Sequence, residues 1–177
     1  MSTFNVTTFK SALVNGGARP NQFKVQIVFP TVAGPFGAIG GPRTEFLVNI
    51  AELPGQTLNP AVVLYRGREV KFAGDRIFAP WTTTILNDTQ FSIRRAIENW
   101  MNAMEDLQTK NGVLAPASYQ TNIFVHQLDR NGATLKLYEL REAFPVELSP
   151  IALDFSANDQ ISTFTCTWQY QTFETVV

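Results

Sequence analysis

The sequence predicts a mainly β protein, a sandwich or barrel with one α-helix against it. Two observations carry this. Short runs rich in Val, Ile, Thr and aromatics alternate apolar with polar residues and are bounded by Gly, Pro and Asn, as half-buried strands are. One stretch alone, residues 89–107, places Ile93, Ile97, Trp100, Met104 and Leu107 at spacings of three and four, which makes one helical stripe. The length of 177 residues fits one domain covering 1–177, and 45% hydrophobic residues with 14 Phe can fill its core.

Residues 1–21 are polar with scattered Phe4, Phe9 and Leu13, and read as an N-terminal arm with a short helical turn near residues 9–14. Residues 22–29 put Phe23, Val25, Ile27 and Phe29 on one face, a strand with one side buried. Residues 30–43 hold so many glycines and prolines that they read as a long loop, with Phe36 and Ile39 exposed on it. A strand follows at 45–53. Residues 61–65 and 69–72 flank Arg66-Gly67 as a hairpin, because Gly67 can take the positive φ of a tight turn. Asp75 and Arg76 read as part of a turn, either a charge pair at a subunit contact or a clamp within the chain. Residues 81–86 are a strand, and Asn87 and Asp88 offer side-chain oxygens to the start of the helix. Strands at 119–128 and 133–140 surround Asn131-Gly132, a strong hairpin signal. A last strand at 161–173 sets Phe164, Cys166, Trp168 and Tyr170 against a polar face of Thr163, Thr165, Thr167 and Gln169.

Few groups offer catalytic chemistry. His126, the one histidine, lies in a strand and reads as a surface or core residue, and no HxxxH or CxxC spacing suggests a metal. Cys166, the one cysteine, falls on an apolar face where a thiol is inert. The loop GPFGAIGG lacks the Gly-Lys-Ser/Thr of a phosphate loop. Acidic residues such as Glu45, Glu52, Glu105 and Asp106 read as solvated charge, and Trp81, Trp100 and Trp168 fit a core better than a sugar platform. No catalytic, cofactor or metal site is expected. The net charge of −1, with Arg94-Arg95 the one basic couplet of note, gives no footprint of nucleic-acid binding. Charged residues make up 16%, against roughly 25% in soluble domains, which favours a subunit with large permanent interfaces. A single cysteine and the lack of a basic start followed by an apolar run predict synthesis in a reducing cytoplasm.

The segment AGDRIFAPWTTTILND resembles the signature of the tail tube proteins of contractile-tailed bacteriophages, as do ARPNQFKVQI, the LPG turn and FPVELSPIALDFSANDQISTFTCTWQYQ, in the family's order. The resemblance implies a β-barrel-like sandwich with one flanking helix and a structural rather than enzymatic role. It further implies hexameric rings stacked into the inner tube of a virion tail, made and assembled in the host cytoplasm. Sheath would lie outside, baseplate and tail terminator proteins at the ends, and viral DNA would pass through the lumen without specific binding. On this reading Phe4, Phe9, Leu13, Phe36, Ile39, Tyr65, Arg66, Asp75 and Arg76 serve contacts between subunits. Thr163, Thr165, Thr167 and Gln169 face the lumen, and the stripe Ile93, Ile97, Trp100 and Met104 seals the β-fold. The alternatives are a tube protein of a related contractile injection system or bacteriocin and, from a different class, a monomeric ligand-binding β-sandwich.

Overall fold

A computed structural model describes residues 5–13, 17–107, 111–112 and 115–176. Among them lie nine strands: β1 (Phe23–Ile27), β2 (Val48–Ala51), β3 (Gln56–Tyr65), β4 (Arg68–Phe78), β5 (Trp81–Leu86), β6 (Thr121–Leu128), β7 (Thr134–Leu148), β8 (Thr163–Gln169) and β9 (Thr172–Thr175). The helices are α1 (Val6–Ala12), α2 (Pro35–Leu47), α3 (Ser92–Met104) and α4 (Pro116–Tyr119), with a 3-10 turn at Thr31–Ala33.

Seven strands form one sheet in the order β1-β6-β7-β8-β5-β2, with β9 also on β7, while β3 and β4 form a separate hairpin. The long strand β7 belongs to two ladders. Its first part pairs with β6 and β9, and residues 144–148 pair with β8. Where it changes partner, Glu142 takes φ 56 and its N–H is met by Asn122 Oδ1 at 3.4 Å. A bulge of this kind bends the strand and lets the sheet fold over on itself. The inward faces then share one core: Val25 and Ile27 from β1, Ile123 and Val125 from β6, Leu140 from β7, Phe164, Cys166 and Trp168 from β8, and Ile85 from β5.

Helix α3 lies against that core as its stripe predicts, with Ile93, Ile97 and Trp100 buried and Met104 half-buried. The Trp100 ring lies 5.8 Å from that of Trp168 and meets the edge of Phe29 at 5.9 Å. Asp88 starts the helix, accepting from the Ser92 N–H at 2.7 Å and the Ser92 hydroxyl at 2.7 Å, and it also pairs with Arg43. Against the cost of burial, the Ser92 bonds and Arg43 hold its carboxyl below the usual range. Asn87 does not cap; its amide donates to Ser162 Oγ at 3.0 Å. The helix is shorter than 89–107, since Phe91 stands at φ 53 and the chain turns extended at Glu105. Leu107 is 75% exposed as a result.

The segment 30–43 is not a loop, and α3 is not the one helix. Residues 31–33 make the 3-10 turn, and α2 then runs through Pro42 to Leu47, taking the start of the strand expected at 45–53. Gly and Pro disfavour helix by about 1 and 3 kcal/mol each, so propensity points away from this element and packing decides for it. A Cβ on Gly37 would meet Phe29 Cβ at 2.9 Å and Ala33 Cβ at 3.0 Å, and one on Gly40 would meet Ile93 Cα at 3.4 Å. The glycines let α2 lie directly on its neighbours. Pro35 at the first position has a fixed φ suited to a helix start. From there α2 contacts α3, β1, β2 and β5, covering the gap between the two ends of the sheet.

Two substitutions test this account by urea denaturation. Trp100→Ala should lose about 3–5 kcal/mol, as large aromatic truncations in cores do, while Leu107→Ala stays within about 0.5 kcal/mol. Gly37→Ala should destabilise despite a gain of about 1 kcal/mol in helix propensity, because overpacking costs about 1–3 kcal/mol. An unchanged midpoint in Trp100→Ala, or a raised one in Gly37→Ala, contradicts it.

Candidate functional site

Cys166 and His126 are held by their surroundings. Cys166 is fully buried, and burial pushes its thiol far above the ordinary range. His126 Nε2 lies 3.2 Å from Gln26 Oε1 and Nδ1 3.4 Å from Thr134 Oγ1. Partial burial and then the nearby Lys24 ammonium lower its pKa, so the ring is mainly neutral near pH 7. Each tryptophan N–H finds an internal acceptor: Trp81 the Glu52 carbonyl at 2.6 Å, Trp100 the Tyr119 carbonyl at 2.8 Å, Trp168 the Thr83 hydroxyl at 2.9 Å. All three rings are buried, leaving none to stack on a sugar. No group of three His, Cys, Asp or Glu able to hold a metal occurs among the described residues, and no helix among them is long and apolar enough to cross a membrane.

The features that look outward are surfaces. Strands β3 and β4 pair from Gln56 with Phe78 to Tyr65 with Arg68, far beyond the hairpin expected at 61–72. Arg66 (φ 48) and Gly67 (φ 78) form its two-residue tip, a turn whose twist matches the strands. Between Gln56 and Ile77 every residue but Gly74 is exposed. Leu58, Val62, Val63, Leu64, Tyr65 and Phe72 are each about half exposed or more. Its base is anchored, where Phe78 packs on Phe173 at 5.5 Å and Tyr170 at 5.9 Å. The Arg66 guanidinium lies over the Tyr65 ring at 5.5 Å.

Asp75 and Arg76 are strand residues in β4, not a turn. The pattern Ala-Gly-Asp-Arg reads as a turn, but Gly74 serves a bulge: a Cβ there would lie 2.6 Å from the Asn59 carbonyl oxygen. The clamp within a turn is therefore ruled out, and both side chains are exposed. Phe9 and Leu13 are exposed on and just past α1, whose seven residues bury nothing. Phe4 lies outside the described residues. Phe36 is half-buried in α2 with the Arg95 guanidinium 5.3 Å over its ring, so it does not project, whereas Ile39 is 43% exposed. Arg94 bonds Glu98 at 2.8 Å and the Ser149 carbonyl at 3.2 Å. Arg94 is thus engaged within the chain, while Arg95 is exposed above the Phe36 ring.

The polar side of β8 carries Thr163, Thr165, Thr167 and Gln169, but the strand ends at Gln169 and β9 is separate, so the single strand expected at 161–173 is two. No Gly or Pro marks that break. Across the ladder Thr167 faces Thr82 and Thr165 faces Thr84. The outer face is a field of threonines shared by β5 and β8, and the β5 half follows from the same alternation that buries Trp81, Thr83 and Ile85. Two backbone edges flank it. Strand β2 pairs with β5 alone, and residues 144–148 of β7 pair with β8 alone.

This mainly β architecture occurs in solved structures. The chain superposes with a TM-score of 0.64 on a chain of the anti-feeding prophage tube terminating cap, at 14% identity over 89% of both chains. On a chain of the sheath-tube complex of an extracellular contractile injection system the TM-score is 0.58, at 14% identity over 94% of this chain and 95% of that one. These likenesses concern the fold. The sequence is 28% identical to the tail tube protein of Enterobacteria phage T4 over 151 residues, 85% of this chain and 86% of that protein. It is also 28% identical to the tail tube protein of Serratia phage KSP90 over 168 residues, 93% of each. The family model for phage tail tube protein matches residues 18–176. An exposed apolar hairpin, free sheet edges and buried reactive groups are what a building block requires, and the chain belongs to the phage tail tube protein family.

Proposed function

We propose that copies of this chain close into hexameric rings and that the rings stack into the inner tube of a contractile tail, the conduit for viral DNA during ejection. The role is structural and involves no catalysis. The observation that carries the reading is the hairpin. It holds Leu58, Val62, Val63, Leu64, Tyr65 and Phe72 in water, and exposed apolar side chains gathered on one projection favour an interaction surface. The free edges of β2 and of residues 144–148 favour ring closure, since unpaired strand edges join to other chains unless blocked. A heterologous contact that closes by rotation makes a ring, and one that does not makes a filament.

The threonine field of β5 and β8 suits a lumen wall. It presents neutral hydroxyls, and the net charge of −1 offers phosphate nothing to hold it. Helix α1, with Phe9 and Leu13 uncovered, and Ile39 on α2 are further surfaces for a neighbouring subunit. The sheath would surround the tube, with baseplate and tail terminator proteins at its ends. The assembled particle would be the virion tail, its subunits made in the host cytoplasm.

Electron microscopy and light scattering of the purified protein should show six-fold rings at high concentration, and filaments once a baseplate nucleus is supplied. A species that stays monomeric under both conditions sinks the reading. In a gel-shift titration, duplex DNA should bind weakly, without sequence preference, and be released by moderate salt. Salt-resistant binding to one sequence would contradict a passive lumen.

A further inference from the structure

The seven-stranded sheet can be extended by a strand of another copy at β1, at β9, at β2 and at residues 144–148 of β7. These edges are not equally open. Asn49 and Ile50 of β2 and Val146 and Glu147 of β7 are exposed. Strand β9 has four residues, and so short an edge gives another chain little to pair with. Strand β1 differs again. Val25 is wholly buried and Ile27 is 2% exposed, so their backbone is closed to another chain.

Helix α2 is what closes it. The fully buried Thr44 hydroxyl accepts from the Ile27 N–H at 3.2 Å and donates to the Gly41 carbonyl at 2.7 Å. One hydroxyl thus stands where a partner strand's carbonyl would be, while tied to its own helix. The other side of β1 belongs to β6, where the Leu128 N–H reaches the Gln22 carbonyl at 2.8 Å. Backbone groups alternate sides along a strand, so those of Val25 and Ile27 face away from β6. The helix lies close there: a Cβ on Gly41 would stand 3.7 Å from the Ile27 carbonyl oxygen. Glu45 adds a second hold. Its Oε1 accepts from the Gln26 amide and its Oε2 lies 3.8 Å from the Lys24 ammonium. Gln26 Oε1 is in turn 3.2 Å from His126 Nε2 on β6. Two consecutive residues of α2 therefore grip β1, one at its backbone edge and one through its side chains.

We infer that α2 guards the β1 edge and that Thr44 decides which edges of the sheet stay open to other copies. This role rests on the ring reading and goes beyond it, giving a selective part to a side chain buried within its own chain. With β1 closed and β9 short, strand addition is confined to β2 and to residues 144–148. One pair of unlike sites per copy is what a closed ring can satisfy. An open β1 would be a further acceptor and a branch point, and unguarded edges of that kind template aggregation.

Substitutions in the full chain test it. Thr44→Val keeps the shape and removes the hydroxyl, whereas Thr44→Ser keeps the hydroxyl and removes the methyl. By hydrogen exchange, the Ile27 amide should exchange about tenfold faster in Thr44→Val and near the native rate in Thr44→Ser. At equal concentration Thr44→Val should lose most of its rings to irregular aggregates that bind thioflavin T, and Thr44→Ser should keep them. A core variant of matched melting temperature, such as Ile97→Val, should also keep its rings, which separates an opened edge from lost stability. Should Thr44→Val fail to fold, Glu45→Ala takes its place, with a milder rise in Ile27 exchange and a partial loss of rings. Equal Ile27 exchange in the two Thr44 variants, equal aggregation from Ile97→Val, or an unchanged Glu45→Ala overturns the guard and leaves ring formation intact. If the native chain forms no rings, the ring reading falls and the selective role with it, while the exchange contrast still reports on the edge alone.

Discussion

The contact between the indoles of Trp100 and Trp168, 5.8 Å apart at their centroids, is where the helical layer meets the sheet. Much of the fold depends on it. Trp100 fixes the depth of α3, and α3 supplies the surface on which Gly40 of α2 comes to rest at Ile93. Helix α2 in turn spans β1, β2 and β5 and closes the gap between the two ends of the sheet. Both indole N–H groups are satisfied, by the Tyr119 carbonyl and the Thr83 hydroxyl. The largest side chains can therefore be buried without the cost of an orphaned donor.

Outside that core the chain divides its surface unevenly. The threonine field is neutral and hydrogen-bonding, while the hairpin and residues 151–163 carry bulky apolar groups in water. The hairpin also holds Arg66, Arg68, Glu69, Lys71, Asp75 and Arg76, so charge and exposed apolar side chains share it.

How far the sequence reveals this depends on whether a residue's neighbours in space leave a local imprint. Strands β1, β5, β6 and β8 were legible because a core on one side forces period-two alternation, as in Trp81, Thr83 and Ile85. Helix α3 was legible for the same reason at its own period, and its overlong C-terminal estimate came from counting Leu107, which has the spacing but no core beneath it. Helix α2 was hidden, because Gly37 and Gly40 lower helix propensity and their purpose, close approach to Phe29 and Ile93, is tertiary. The hairpin was found at its Arg66-Gly67 tip but underestimated in length, since with both faces exposed no alternation marks its ends. Residues 151–163 leave no periodic trace, and Phe36, expected to stand exposed on a loop, is half-buried in α2 with Arg95 over its ring.

The hairpin base and the loop at residues 149–162 join the β5–β8 ladder at its two ends, and this placement has a mechanical meaning. A pull applied between those ends runs along the strands, so it loads the hydrogen bonds of the ladder in shear. The bonds from Trp81–Trp168 to Leu86–Thr163 then share the force and must yield together, whereas a pull across the strands would open them one at a time. Rupture under force is governed by the barrier to unfolding rather than by equilibrium stability. The ladder is thus stiff along its strands and comparatively weak across them.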